Sequence, residues 1–475
     1  MNFVAIDLSL LGIFVIFISI FLYVKRKNLN KEGLLFLYRT KWGMKLIDKI
    51  GSKYKKTLSF MSYVSIGVGY ILMASVLYLI GKVVYIYTVY PQIVRSIKIP
   101  PITPLVPYLP QVFKLDFLPP FYFTYWIVIL AIIAITHEFM HGIFMRRYDI
   151  KIKSTGFGFF PFFFPVFLAA FVEQDEKSME KSSPFNQMAV LAAGTFANIV
   201  TAILFFGIIW IFFTLAFVPA GAEFNTYSYS AIAIPSILSV NNVSLESPTY
   251  EKVLALIDVE NLSTIKTLEG EYLVDKDGLE SQENSEDYLI LYDNSPAIRN
   301  GISGAVTKID ENSITDWDSF GEIILNYSPG DNVTITTLED GKITNYEITL
   351  GQNPKDPEKA WIGVGYIEQK RSGLVGKAVN TLSSFKKSYV HYESKFESGL
   401  FVYNLLWWLV MISASVALMN MLPMGIFDGG RFFYLTILVL TRNEKKAERW
   451  FKISTNFFLL ILVLLMVLWV ISFIG

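Results

Sequence analysis

Six stretches of the chain are each long and apolar enough to cross the hydrocarbon core of a bilayer, which takes roughly 20 residues as a helix. They cover residues 4–24, 58–87, 121–144, 185–217, 399–422 and 457–474. With 53% of the 475 residues hydrophobic and 17% charged, the chain carries more apolar surface than a soluble fold can hide. A polytopic α-helical membrane protein of about six transmembrane helices is therefore expected. The first stretch ends on Lys25, Arg26 and Lys27 with no small-residue cleavage pattern, as a retained anchor does. The formal net charge is zero, which says nothing of nucleic acid, and none is expected as a partner. Without cysteine the chain has no disulfide, no thiolate ligand and no cysteine nucleophile.

Charge between the spans sets the orientation. Residues 25–56 are rich in lysine and arginine against only Glu32 and Asp48, and Arg146, Arg147, Lys151 and Lys153 follow the third span. Both segments read as cytoplasmic, as does the basic interval 442–452 between spans five and six. Both termini then lie outside. In 25–56, Leu35, Leu37, Trp42, Met44 and Ile47 interleave the charges, so an amphipathic surface helix and a solvated linker are equal expectations. Residues 91–120 are proline-rich and are expected to form an outer loop without helix. Residues 154–172 are apolar but broken by Gly156, Gly158, Pro161 and Pro165, which suits a re-entrant hairpin buried against protein. Between 218 and 396 strand-like alternation and an excess of acids point to an extracytoplasmic domain. The expected division runs 1–24 (first span), 25–56 (basic segment), 57–90 (second span), 91–120 (outer loop) and 121–144 (third span). It continues 145–184 (hairpin), 185–217 (fourth span), 218–396 (outer domain), 397–430 (fifth span and the motif after it), 431–453 (cytoplasmic segment) and 454–475 (sixth span).

The third span carries His137, Glu138 and His141. Two histidines four residues apart project from one face of a helix, where their neutral imidazoles can take two corners of a tetrahedral zinc site. Glu138, next to the first, can serve as general base for an attacking water. The alternative, two packing histidines beside a satisfied glutamate, would bury three polar groups in a membrane span to no purpose. A third ligand is still needed. His391, the one remaining histidine, lies outside span five in this topology, far from the depth of span three, and reads as a surface residue. Asp428 lies at the inner end of span five, in a stretch from Asn420 to Gly430 that Pro423, Gly425, Gly429 and Gly430 must break.

With these residues in view the chain resembles the site-2 protease family of intramembrane zinc metalloproteases. The resemblance rests on His137, Glu138 and His141, on Asn420, Pro423, Asp428 and Gly429, on Gly194 and Asn198 in span four, and on the hairpin from Phe162 to Glu173. It implies one zinc ion held by His137, His141 and Asp428, with Glu138 catalytic and Asn198 and Asn420 binding the unwound substrate or stabilising the oxyanion. For Asn198 a plain helix–helix hydrogen bond is the competing reading. The implied function is cleavage of transmembrane segments of membrane-anchored substrates already trimmed by another protease, that is, regulated intramembrane proteolysis. The implied setting is a lipid bilayer, with the plasma membrane of an archaeon or bacterium expected. The outer domain resembles an inserted α+β PDZ module over Asn294, Pro296, Ala297 and Gly301, then strands, a helix near 316–325 and the hairpin at Asp340 and Gly341. Residues 237–258 faintly repeat 306–327, which fits a degenerate second module or a coincidence equally well. Two competing classes are a non-catalytic PDZ-bearing scaffold or metal-binding subunit, which has no need of Glu138, and a prenyl-protein type of zinc peptidase, which leaves Asp428 unexplained.

Overall fold

The computed structural model describes residues 3–32, 35–97, 100–101, 105–115, 118–160, 167–283, 287–368 and 373–472. These form two compact units, residues 1–212 with 400–475, and residues 213–399.

In the first unit the helices up to the second unit are α1 (Phe3–Val24), α2 (Met44–Lys53), α3 (Lys55–Val89), α4 (Pro91–Ile97), α5 (Leu109–Val112), α6 (Phe123–Arg147), α7 (Glu176–Lys181) and α8 (Pro184–Ala216). Helices Gly399–Asn420, Asp428–Thr441 and Glu444–Ile471 follow it. Six of the helices are long and apolar enough to cross a membrane: α1, α3, α6, α8, Gly399–Asn420 and Glu444–Ile471. The core lies where α3, α6, α8 and the helix of Asp428–Thr441 meet, around Phe144, Met188, Met421 and Phe432. On α8 the core positions Ala189, Ala192 and Ala193 are small, so backbones approach closely without any hydrophobic drive from lipid.

Three local expectations give way. The proline-rich segment does contain helix, because α4 starts on Pro91 and α5 has proline in its first turn, where the missing N–H has no partner to lose. The last span begins earlier, at Glu444, with Asn443 capping it through Lys446 N, so the basic interval is largely helical. Asp428–Thr441 is a further apolar helix, at 14 residues too short to read as a span.

The basic segment differs most. It forms strands β1 (Leu29–Glu32) and β2 (Leu35–Thr40) before α2 takes up the helical expectation. The hairpin expected at 154–172 is β3 (Ile152–Phe160) and β4 (Phe167–Gln174); its tip, with Pro161 and Pro165, lies outside the described residues. The four strands make one antiparallel sheet in the order β1-β2-β3-β4. A Cβ on Gly156 would sit 2.2 Å from Tyr38 O and 2.6 Å from the Phe171 ring, so only glycine lets β2 and Phe171 close over β3. Within the sheet Arg39 of β2 bridges Glu32 of β1 and Glu173 of β4.

Helix α1 is the least embedded of the spans, with the last, yet Asp7 on it is 0% exposed. Its carboxylate accepts from Phe123 N (2.8 Å), Thr124 N (2.9 Å), Thr124 Oγ1 (2.5 Å) and Tyr108 Oη (2.5 Å). It thereby caps α6, whose own N-cap residue, Tyr122, offers no side-chain acceptor.

The second unit holds two six-stranded sheets and two short strand pairs. One element order occurs twice: strand Ile237–Val240, short strand Val243–Ser244, helix Tyr250–Leu254, then strands Ser263–Thr267 and Glu271–Val274. Its counterpart is Ala305–Ile309, Asn312–Ser313, Trp317–Ile324, Asn332–Glu339 and Lys342–Thr349. The turns match atom for atom. Asn241 (φ 47°) donates its N–H to Thr264 O at 2.9 Å and accepts from Thr264 N at 2.9 Å through Oδ1. Asp310 (φ 51°) does the same with Thr334, at 2.8 Å both ways. Asn and Asp are the residues that tolerate the left-handed region and bond their own turn.

Candidate metal centre

His137 and His141 project one turn apart from α6, with their Nε2 atoms 3.0 Å from each other. The chain returns to them at Asp428, whose Oδ2 lies 3.4 Å from His137 Nε2 and 3.3 Å from His141 Nε2. After Asn420 the helix stops. A new one starts at once on Asp428, so tightly that a Cβ on Gly429 would lie 2.4 Å from Met421 C, and one on Gly430 2.3 Å from Met424 O. Glycines are required at both positions for the aspartate to stand at a helix N-terminus, where a carboxylate is favoured.

Helix α8 backs the pair with three residues spaced by four. Val190 O receives His141 Nδ1 at 2.7 Å. Gly194 makes room: a Cβ there would stand 2.3 Å from His141 Nε2 and 2.6 Å from His137 Nε2. Asn198, 0% exposed, sets its amide on His137 Nδ1, with Nδ2 at 3.0 Å and Oδ1 without a partner among the described residues. The bond to Val190 O fixes the proton of His141 on Nδ1 and leaves a lone pair on Nε2. A half-turn of the Asn198 amide, which exchanges two nearly isosteric ends, does the same for His137. Two bare imidazole nitrogens and a carboxylate oxygen then converge, three acceptors with no donor between them, an arrangement that a cation stabilises. The separations fit: zinc at 2.0–2.1 Å from tetrahedral ligands implies edges of about 3.3 Å. Among the described residues, these three are the cluster of histidine and acidic groups that could hold a metal.

Glu138 lines the same cleft as the histidines and accepts from Val172 N at 2.9 Å. Val172 is on β4, an edge strand of its sheet. Since N–H groups alternate along a strand, those of Ala170 and Leu168 point outward as well. A cleft of about 810 Å³ runs along this edge, lined by the histidines, Glu138, Asp428, Asn420, Leu35, Leu37 and residues 169–174 of β4. At its rim Arg39 pairs with Glu173 (Nε–Oε2 2.8 Å), and Ser154 Oγ donates to the same carboxylate at 2.6 Å. The Arg39 bond holds the Glu173 carboxyl below the usual range, and the two acids push Arg39 upward.

Five of the six expected site residues line the cleft; Asn198 stands behind His137 instead. His391 belongs to the second unit, its Nδ1 3.5 Å from Glu223 Oε1. The contributions of Val190 and Val172 are main-chain atoms, for which side-chain identity carries no signal. That of Gly194 is legible as a small residue four before Asn198.

The sequence model of Peptidase family M50 matches residues 125–465. No curated protein matches the chain.

Proposed function

The chain belongs to peptidase family M50, the site-2 protease family, which makes it an integral multi-pass membrane metallopeptidase, and from that premise we propose that it is a zinc endopeptidase that cuts transmembrane segments within the bilayer. The observation that carries the reading is the convergence of His137 Nε2, His141 Nε2 and Asp428 Oδ2 with Glu138 beside them on the same cleft wall. A zinc ion held by these three would supply Lewis acidity for the scissile carbonyl. Glu138 takes the proton of the attacking water and returns it to the leaving amine. Val172 N–H orients its carboxylate for this, while Val190 O holds His141 in the required tautomer and Asn198, with its amide turned, would do so for His137.

A helical substrate shields its carbonyls and must unwind before attack. The outward groups of Ala170 and Leu168 offer the unwound strand an edge to pair with, which offsets the several kcal/mol that each exposed amide costs in hydrocarbon. Asn420, which lines the cleft, is the side chain we assign to the substrate backbone. The Asn198 side chain, expected from sequence to contact substrate, is buried behind His137 and serves here through that imidazole. By rise per residue the two histidines lie about 7 and 13 Å from the inner end of span three, so the cut falls in the substrate's cytoplasmic half.

For the second unit we propose a PDZ-like role, docking or filtering substrates already shortened on the outer side. It is supported by the strand–turn–helix–hairpin order that occurs there twice. The deciding experiment compares bound zinc and cleavage of a model transmembrane substrate in wild type and Glu138→Gln. The variant should keep zinc and lose turnover; cleavage at the wild-type rate overturns the mechanism.

A further inference from the structure

A second, smaller cavity of about 40 Å³ lies against Glu138 and shares Glu138, Ala170, Phe171 and Val172 with the large cleft. Its far wall comes from Thr40, Trp42, Gly43 and Ile47, all upstream of the stretch that matches the family. This wall is fixed rather than loose. Thr155 Oγ1 donates to Trp42 O at 2.7 Å, and Trp42 N donates to Thr40 Oγ1 at 3.2 Å. Ile47 is 1% exposed and lies on α6 so closely that a Cβ on Gly142 would be 2.8 Å from its Cδ1. A Cβ on Gly51, one turn along α2, would be 2.7 Å from Arg146 Cβ, so α2 and α6 meet through small residues and cannot slide.

We propose that this cavity is a specificity pocket for a small side chain, alanine or serine in size, on the substrate residue adjoining the scissile bond, and that Ile47 in the segment before the family match sets its depth. The inference rests on the protease reading above and adds to it the class of sequence that is cut. Three observations support it together. Glu138 lines both this pocket and the cleft, so a side chain entering it from the cleft belongs to a residue next to the bond being broken. Its wall beyond Glu138 and β4 is apolar or neutral, which suits the side chains of a membrane segment and excludes charge. Its free space is about a twentieth of the main cleft's, about 40 against 810 Å³, which suits a methyl or hydroxymethyl group better than a leucine or phenylalanine side chain. Discrimination by a rigid apolar pocket of this kind amounts to about tenfold or more per misfitted methylene.

The test measures cleavage rates of the full-length protein on model transmembrane substrates that carry Gly, Ala, Ser, Val, Leu or Phe at the positions flanking a cut site mapped by mass spectrometry. The wild type should prefer Ala or Ser over Leu at one flanking position by at least about tenfold. Ile47→Ala should bring that ratio toward one by admitting Val and Leu, with Ile47→Val shifting it part of the way should the larger truncation unfold. Ala170→Val, which narrows the pocket from the opposite wall, should shift the preference toward Gly. A wild type indifferent to size, or a preference unchanged in the Ile47→Val and Ala170→Val proteins, overturns the pocket while leaving Glu138-dependent cleavage standing. Absence of cleavage for every substrate in the wild type overturns the protease reading, and the pocket with it.

Discussion

Asp7 meets Thr124 twice, accepting from its backbone N–H at 2.9 Å and from its hydroxyl at 2.5 Å, through one carboxylate oxygen. The other oxygen takes Phe123 N–H and the Tyr108 hydroxyl. A span that is otherwise little embedded is thus fastened to the outer end of the helix that bears His137 and His141. Asp7→Ala removes the acceptor of two N–H groups and two hydroxyls and should lower stability by about 1–3 kcal/mol. Thermal unfolding in detergent checks this. Bound zinc per chain below the transition should equal that of the wild type, because the histidines lie more than three turns away; an unchanged melting midpoint would mean that the cap carries no stability.

Gly194 should be intolerant of even one methyl group. Its Cβ would occupy the space of His141 Nε2, so Gly194→Ala should displace an imidazole and cost at least about tenfold in zinc affinity while the fold survives. His137→Ala, His141→Ala and Asp428→Ala each remove one proposed ligand and should lose zinc outright. Metal analysis after gel filtration separates these results, and full zinc occupancy in Asp428→Ala would remove it from the ligand set.

The outer edge of β4 can be interrupted without touching any side chain of the metal cluster. Ala170→Pro deletes an N–H that points away from β3, a place where a sheet tolerates proline. Cleavage of a helical transmembrane substrate should fall about tenfold or more, from the loss of one backbone pairing in hydrocarbon, with zinc retained. Equal rates for the two proteins would show that substrate does not pair with this edge.

Glu173 gives a pH signature outside the spans. Its carboxyl is depressed by Arg39, so its contribution to stability is complete above the unfolded value of about 4.3 and is lost only as pH falls through the lower folded value. The difference in melting midpoint between wild type and Glu173→Gln should therefore stay level from pH 7 to about 5 and shrink only below about 4. A difference that shrinks between pH 7 and 5 would mean that the Arg39 pairing does not form.

What the sequence discloses and what it hides divide along physical lines. The spans are legible because crossing lipid needs length and apolarity, which are additive along the chain. His137, Glu138, His141 and Asp428 stand out because polar groups are rare in such stretches. The strands β1 and β2 are hidden because Lys31, Glu32 and Arg39 look solvated until Glu173, more than a hundred residues on, is seen to pair with Arg39. Asp7 is hidden for the same reason, since its partners are backbone groups of α6. The hairpin lies between these cases: glycines and prolines announce a break in the helix, but not that Gly156 is there to admit Phe171. The faint likeness of 237–258 to 306–327 proves to be one element order occurring twice, held by Asn241 in one copy and Asp310 in the other.

The approach of Asp428 to His141 closes a loop of chain that contains the entire second unit. Closure entropy grows with the logarithm of loop length, by only about 0.6 kcal/mol for each doubling. The histidine–aspartate cluster is therefore nearly insensitive to how much chain is threaded between its two halves. An insertion there can double, shrink or be exchanged for another with little penalty to the cluster, provided that the ends near residues 212 and 400 stay where the flanking helices hold them.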